Sequence, residues 1–160
     1  MDSKIIFLGT GGDNIVVGKQ IRGSGGIILN VDGYQIHLDP GPGSIVRARQ
    51  FNINPRNNTA IVSTHNHLNH AGGLNEIVSA MTHNGLDKKG VIIGSNSIIN
   101  KTEKSEPFLN RFYKNCVERY LTIKPGQKVG INSIEIRAIH AFHEIDENGI
   151  KIFTPNFTLA

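Results

Sequence analysis

The chain has 160 residues and a formal net charge of +4 at pH 7, a size that fits one domain. Its 38% hydrophobic and 19% charged residues are typical of a globular protein, and no stretch approaches the ~20 apolar residues of a membrane-spanning helix. The start of the chain lacks the basic and apolar regions of a secretory signal, and a single cysteine excludes an internal disulfide. We therefore expect one domain over residues 1–160, a cytoplasmic location and no association with a membrane.

The first elements in the chain are predicted to form an antiparallel sheet. Residues 4–8 are an apolar run followed by glycine, the pattern of a buried strand that enters a turn. Apolar residues then alternate over 27–31 and again over 34–38, on either side of Asp32 and Gly33. An Asp-Gly pair between two alternating segments is a strong signal for a tight β-hairpin.

Helices and strands alternate in the middle of the sequence. Residues 44–51 have helical composition, with Ser44 as a possible N-cap. Residues 60–64 and 90–94 are apolar strand candidates. Between them, the i, i+3, i+4, i+7 pattern of apolar residues that starts at Leu74 predicts an amphipathic helix.

The last third of the sequence predicts one helix and several strands. Pro107 is placed to begin a helix that carries apolar residues as far as Tyr120, with Cys116 as a small packing residue. Alternating segments follow at 121–123, 133–139 and 150–160. This mixture of strands and helices predicts a layered α/β domain.

Three of the seven histidines lie within six residues, immediately after the strand at 60–64: His65, His67 and His70. Imidazole nitrogen is a common zinc ligand, and residues two apart on an extended segment lie on the same side of the backbone. The strand and the following helix place this cluster on a strand-to-helix loop. A metal site at this loop is therefore the first functional hypothesis, and a polar loop without metal is the alternative.

Four segments in chain order extend this hypothesis to a family resemblance. They are Ile6-Phe7-Leu8-Gly9-Thr10-Gly11-Gly12, His37-Leu38-Asp39-Pro40-Gly41-Pro42-Gly43, the segment from Ser63 to Leu74, and Ile139-His140-Ala141-Phe142-His143. Together they resemble the metallo-β-lactamase superfamily, and the first segment is similar to the branch of the tRNA 3′-processing ribonucleases. The resemblance implies an αββα sandwich and hydrolysis by a zinc-activated water.

The resemblance also implies roles for individual residues. His65 and His67 match two ligands of the first metal, and His143 is the best match for the third, with His140 as the competing choice. His70 completes the metal-binding motif, and Asp39 matches the residue that orients the cluster from behind the ligands. These assignments predict one tightly bound zinc ion.

Two departures from the family pattern affect the second metal site. Asn69 stands where the family has an aspartate ligand, and an amide oxygen is a weaker ligand for a divalent ion than a carboxylate. The segments that would supply a bridging carboxylate and a final histidine are not found before Ala160. We therefore expect a C-terminally incomplete sandwich in which the second metal site is impaired.

Several functions remain open on the sequence alone. The first hypothesis is a metal-dependent hydrolase that acts on a phosphodiester or another ester-type substrate. This substrate is either a small molecule or a nucleic acid. The alternatives are an inactive metal-binding or structural homologue, and a fragment that needs a partner chain. A sheet that is incompletely covered also predicts association into a homo-oligomer.

Overall fold

The computed structural model describes residues 3–141, 148–155 and 158–160, and the side chain of Asn148 is not described. These described residues form ten strands, six α-helices and a short 3-10 helix over Pro55–Asn57. The strands are β1 Lys4–Phe7, β2 Ile27–Val31, β3 Tyr34–Leu38, β4 Asn58–Ser63, β5 Val91–Gly94, β6 Arg119–Thr122, β7 Lys128–Ile131, β8 Ile134–His140, β9 Asn148–Phe153 and β10 Thr158–Leu159. The helices are α1 Asn14–Gly18, α2 Ser44–Gln50, α3 Leu68–Ala71, α4 Leu74–Thr82, α5 Asn96–Ile99 and α6 Arg111–Cys116.

The first six strands form one mixed sheet in the order β1-β2-β3-β4-β5-β6. The first three strands pair antiparallel, and β3 to β6 pair parallel. The predicted hairpin between β2 and β3 is confirmed: Asp32 and Gly33 both have positive φ angles, 51° and 82°, which a tight hairpin turn of this kind requires. The parallel strands place their carboxyl ends at one edge of this sheet.

The remaining four strands form an antiparallel sheet in the order β10-β9-β8-β7. It packs face to face against the first sheet, because Ile36 and Val62 from the first sheet share one buried cluster with Ile136 and Ile152 from the second. In β8, the alternate residues Ile134, Ile136 and Ala138 point into this core, as expected for a strand with one buried face. The two sheets thus form the centre of a sandwich.

Helices cover the opposite face of the first sheet. Ile61 of β4 and Ile92 of β5 pack there against α4, whose Leu74, Ile77 and Met81 are completely buried. This confirms the amphipathic helix predicted from the spacing of its apolar residues. The described ranges therefore form three layers, helices on sheet on sheet; they contain no helix on the outer face of the second sheet.

Several element boundaries differ from the sequence-based predictions. The helix expected from Pro107 to Tyr120 covers only Arg111–Cys116, because the Asn110 side chain caps it at the start and residues from Arg119 onward pair with β5. Gly43, and not Ser44, is the N-cap of α2. The Ser44 hydroxyl instead hydrogen-bonds the backbone carbonyls of Gly25 and Gly41.

Other predicted segments are confirmed with small changes. The strand expected at 150–160 is divided into β9 and β10, whereas α1, α5 and β7 were not predicted. Cys116 is buried at the end of α6 and has a free thiol, in agreement with its predicted packing role. No helix in the described part of the chain is both long enough and apolar enough to span a bilayer.

Candidate functional site

The site lies at the carboxyl edge of the parallel strands. Asp39 follows β3 directly, and Thr64 and His65 follow β4, the neighbouring strand. The Asp39 backbone amide donates to the carbonyl of Val62 at 2.8 Å, which fixes the two strand ends together. Ligands of open α/β sheets bind at this edge because the loops that leave the strands converge there.

The three clustered histidines occupy the turn between β4 and α3. His65 is buried and lies in the loop, whereas the His67 carbonyl accepts hydrogen bonds from the amides of His70 and Ala71 and so begins α3. This one-turn helix brings His70 back beside His65, with ring centroids 4.2 Å apart. The structure therefore brings His65, His67 and His70 together, as the sequence predicted, although His70 lies in a helical turn and not in an open loop.

Two ring nitrogens face each other inside the cluster. His65 Nε2 is 3.2 Å from His67 Nδ1, and the ring planes are inclined by 78°. Two nitrogens that both bind a tetrahedral zinc ion at 2.0–2.1 Å would be separated by about 3.4 Å. The observed separation fits both a hydrogen bond and a pair of ligands to one cation.

Asp39 holds this cluster from the side of the sheet. Its carboxylate accepts hydrogen bonds from the Thr64 amide at 2.7 Å and from the Thr64 hydroxyl at 2.9 Å. It also lies 3.0 Å from His70 Nδ1. Asp39 itself has a positive φ angle of 46°, a conformation that Asp tolerates better than most residues.

These contacts indicate which ring nitrogen carries the proton in His65 and in His70. An ionised carboxylate only accepts hydrogen bonds, so the single hydroxyl proton of Thr64 must point to Asp39. The Thr64 oxygen then accepts from His65 Nδ1–H, 2.9 Å away, and His70 Nδ1–H donates to Asp39. Both His65 and His70 are left with the lone pair on Nε2, the form in which an imidazole can bind a metal.

A fourth histidine, His37, has a structural role beneath the site. It is fully buried in β3, and its Nε2–H donates to the carbonyl oxygen of Gly25 at 2.8 Å. Burial lowers the pKa of His37 from 6.5 to about 4, and the hydrogen bond to Gly25 and the charge of Asp39 oppose this shift. His37 is therefore neutral at pH 7.

Asn69 is buried within α3, and its side chain points toward the first glycine loop of the chain. Its Nδ2 donates to the carbonyl oxygen of Gly12 at 2.7 Å. Its Oδ1 is buried and has no hydrogen-bond partner among the described residues. The predicted position of Asn69 beside the histidines is therefore observed, together with a contact that the sequence did not predict.

His143 and His140 are the two candidates for the third ligand of the predicted metal site. His143 lies outside the described residues, and His140 ends β8 with an exposed side chain. Residues 3–141, 148–155 and 158–160 contain no group of three or more His, Cys, Asp and Glu side chains arranged to hold a metal ion. His65 and His67 thus fit two ligands of an ion, and the complete set needs a further residue.

Thr64 is the residue at this site whose role the sequence did not reveal. Thr64 belongs to the motif by sequence, but the motif does not indicate what its side chain contacts. Its hydroxyl donates to Asp39, 25 positions away in the sequence, and accepts from the adjacent His65. The available signal was a hydroxyl residue immediately before the first histidine of the cluster. Its function depends on the parallel pairing of β3 and β4, which brings Asp39 next to it.

Comparisons with known proteins identify relatives of this chain. The chain is 31% identical over 143 residues to an uncharacterised protein of Methanocaldococcus jannaschii, a match that covers 89% of this chain and 54% of the relative. It is 25% identical over 160 residues to ribonuclease Z of Methanopyrus kandleri, covering 97% of this chain and 52% of that enzyme. The chain thus spans about half the length of the curated relatives it matches. No protein-family model matches it.

Solved structures agree on the architecture. The metallo-β-lactamase-fold protein YhfI of Bacillus subtilis has a TM-score of 0.66 at 17% identity, over 83% of this chain and 51% of YhfI. The short form of human tRNase Z has a TM-score of 0.65 at 18% identity, over 95% of this chain and 64% of that protein. The predicted fold class is therefore confirmed. This chain has the metallo-β-lactamase fold, and ribonuclease Z is among the proteins to which it is similar in sequence.

Proposed function

We propose that the chain belongs to a metal-dependent hydrolase that cleaves a phosphodiester or another ester-type bond, with zinc held by His65, His67 and one further histidine. The observation that carries the proposal is the 3.2 Å separation of His65 Nε2 and His67 Nδ1. The similarity to ribonuclease Z makes a phosphodiester the preferred substrate. His143 remains the preferred third ligand, and His140 remains the alternative.

The proposed roles follow from the hydrogen bonds. His65 offers Nε2 because its Nδ1–H is held by the Thr64 hydroxyl, and Asp39 fixes that hydroxyl. Such outer hydrogen bonds set the orientation and the basicity of ligating imidazoles. A bound zinc ion would supply Lewis-acid polarisation of the scissile group and would activate water near neutral pH.

His70 has a separate proposed role at the same site. Its Nδ1–H donates to Asp39, so its Nε2 is the nitrogen available to a second ion. Because position 69 next to it supplies no carboxylate, we propose that a second ion binds much more weakly than the first.

The proposal is tested with bis(p-nitrophenyl) phosphate, a chromogenic phosphodiester. We expect turnover that is lost on chelation, restored by zinc and reduced by at least about 100-fold in His65→Ala. His83→Asn is the matched control, because His83 ends α4 in a left-handed conformation that Asn also tolerates, with φ at 48°.

Other outcomes would favour the alternative functions. A folded chain that retains zinc but does not turn over the diester would favour an inactive metal-binding homologue, or a chain that needs a partner. Turnover that survives both chelation and His65→Ala would exclude the proposed metal chemistry.

A further inference from the structure

Asn69 has two unusual features for a residue in a metal-binding motif. Its side chain is buried, with only 8% of the residue exposed, and its Nδ2 donates to the Gly12 carbonyl at 2.7 Å. Residues 12 and 69 are 57 positions apart, so this hydrogen bond connects the N-terminal loop directly to the histidine cluster. The assignment of the two amide atoms follows from the partner, because a carbonyl oxygen accepts only from the NH₂ group.

The packing around Asn69 leaves its side chain and backbone little freedom. A Cβ atom at Gly41 would lie only 2.2 Å from the Asn69 carbonyl oxygen, so the two backbones are already in close contact. The segment Gly9–Gly12, here called the glycine loop, is held at Gly11 by the hydrogen bond from its amide to the Gly23 carbonyl at 2.9 Å. The Asn69 amide holds the next residue, Gly12, at the end of the same loop.

The end of the glycine loop leads directly into α1. The Asp13 carboxylate caps this helix by accepting hydrogen bonds from the amides of Ile15 and Val16 at 2.6 and 3.1 Å. A fixed Gly12 carbonyl therefore fixes the start of α1, which contacts α3. Within α1, the side chain of Ile15 is exposed.

We propose that Asn69 is a positioning residue: it anchors the glycine loop and α1 against the histidine cluster, and it does not act as a weak substitute for a ligand to a second metal ion. An aspartate could not perform this role, because a carboxylate oxygen in place of Nδ2 would face the Gly12 carbonyl with no proton between the two acceptors. The other carboxylate oxygen would take the place of Oδ1, which has no partner among the described residues. Burial of such a group is unfavourable.

The proposal does not depend on the hydrolase activity, so its test uses hydrogen exchange and metal content. Amide exchange is measured by mass spectrometry for peptides that cover residues 9–18, with α4 as the internal reference. For Asn69→Ala we expect exchange over residues 9–18 to rise about tenfold, as for the loss of about 1.4 kcal/mol of local stability. For Asn69→Asp we expect a larger rise, with no gain in zinc content.

Asn66→Asp is the matched control. It adds the same charge to the same motif, and the Asn66 amide donates to the Ser105 hydroxyl at 3.2 Å. A hydroxyl can reverse its role and donate to a carboxylate, whereas the Gly12 carbonyl cannot. We therefore expect Asn66→Asp to leave the exchange of residues 9–18 at the wild-type rate.

The two Asn69 variants rank the possible roles. The anchoring role predicts that residues 9–18 are best protected from amide exchange in the wild type, less protected in Asn69→Ala and least protected in Asn69→Asp. Equal or greater protection in Asn69→Asp, accompanied by a second equivalent of zinc, would overturn it and make position 69 a ligand position. If Asn69→Asp fails to fold, Asn69→Ala alone decides: wild-type exchange over residues 9–18 in that variant would refute the proposal.

Discussion

The carboxylate of Asp39 accepts hydrogen bonds from both the backbone amide and the hydroxyl of Thr64. Because the same hydroxyl accepts from His65 Nδ1–H, these two residues set the orientation of an imidazole that neither strand end could fix alone. The pairing of β3 with β4 is the structural basis of this relationship. It connects the sheet to the candidate metal centre through one hydroxyl group.

Removal of that hydroxyl should weaken zinc binding without disturbing the fold. For Thr64→Val, which has nearly the same shape, we expect the affinity for zinc to fall about 10- to 100-fold, because His65 loses the group that fixes its orientation and tautomer. Thr64→Ser keeps the hydroxyl and should bind zinc like the wild type. Competition with a chromogenic chelator measures both variants, and equal affinities would show that the hydroxyl has no positioning role.

Burial of His37 predicts a stability that depends on pH. Its pKa is 6.5 when unfolded and about 4 in the fold, where burial disfavours the charged ring. The unfolded chain binds more protons between these values, so stability should fall by up to about 3 kcal/mol as the pH is lowered from 6.5 to 4. Urea unfolding at a series of pH values measures this loss.

His37→Gln separates this effect from other acid-induced changes. Glutamine retains an amide donor for the Gly25 carbonyl but does not titrate in this range. Much of the fall between pH 6.5 and 4 should therefore disappear in this variant. An unchanged pH profile would show that another group causes the loss.

Gly26, the residue that precedes β2, is predicted to be essential to the backbone path beside the site. Its φ angle is +84°, and a Cβ atom there would lie 2.3 Å from the Leu38 carbonyl oxygen. Gly26→Ala should reduce stability by about 3 kcal/mol or more, since backbone strain and a steric clash with the main chain add together. Gly130→Ala is the control, because nothing lies within 4 Å of a Cβ atom at that position. Thermal unfolding of the two variants compares them directly, and equal melting temperatures would contradict the prediction.

Short sequence patterns predicted the elements whose conformation depends on residues that are neighbours in the sequence. The Asp32-Gly33 pair predicted the hairpin, because both positions need positive φ angles, and the apolar spacing from Leu74 predicted α4. The histidine cluster was also predicted, because strand β4 and the following helical turn are continuous in sequence. Pro107 gave a misleading helix start, since the Asn110 cap and the pairing of β6 with β5 determine the real boundaries.

The contacts that define the site depend on residues distant in sequence, which periodicity does not reveal. The hydrogen bonds from Thr64 to Asp39 and from Asn69 to Gly12 join segments 25 and 57 positions apart. Asn69 shows the difference most clearly. Compared with the family pattern it is a lost ligand, whereas in the fold it is a hydrogen-bond donor with a defined partner.

The zinc content of the purified, folded chain after extensive dialysis tests the central claim most directly. If His65 Nε2 and His67 Nδ1 are two ligands of one ion, elemental analysis should find about one zinc per wild-type chain and in His83→Asn, and far less in His67→Ala, because one ligand is lost. A wild-type chain without zinc, or a His67→Ala variant with undiminished zinc, would contradict the assignment of this pair as a metal site.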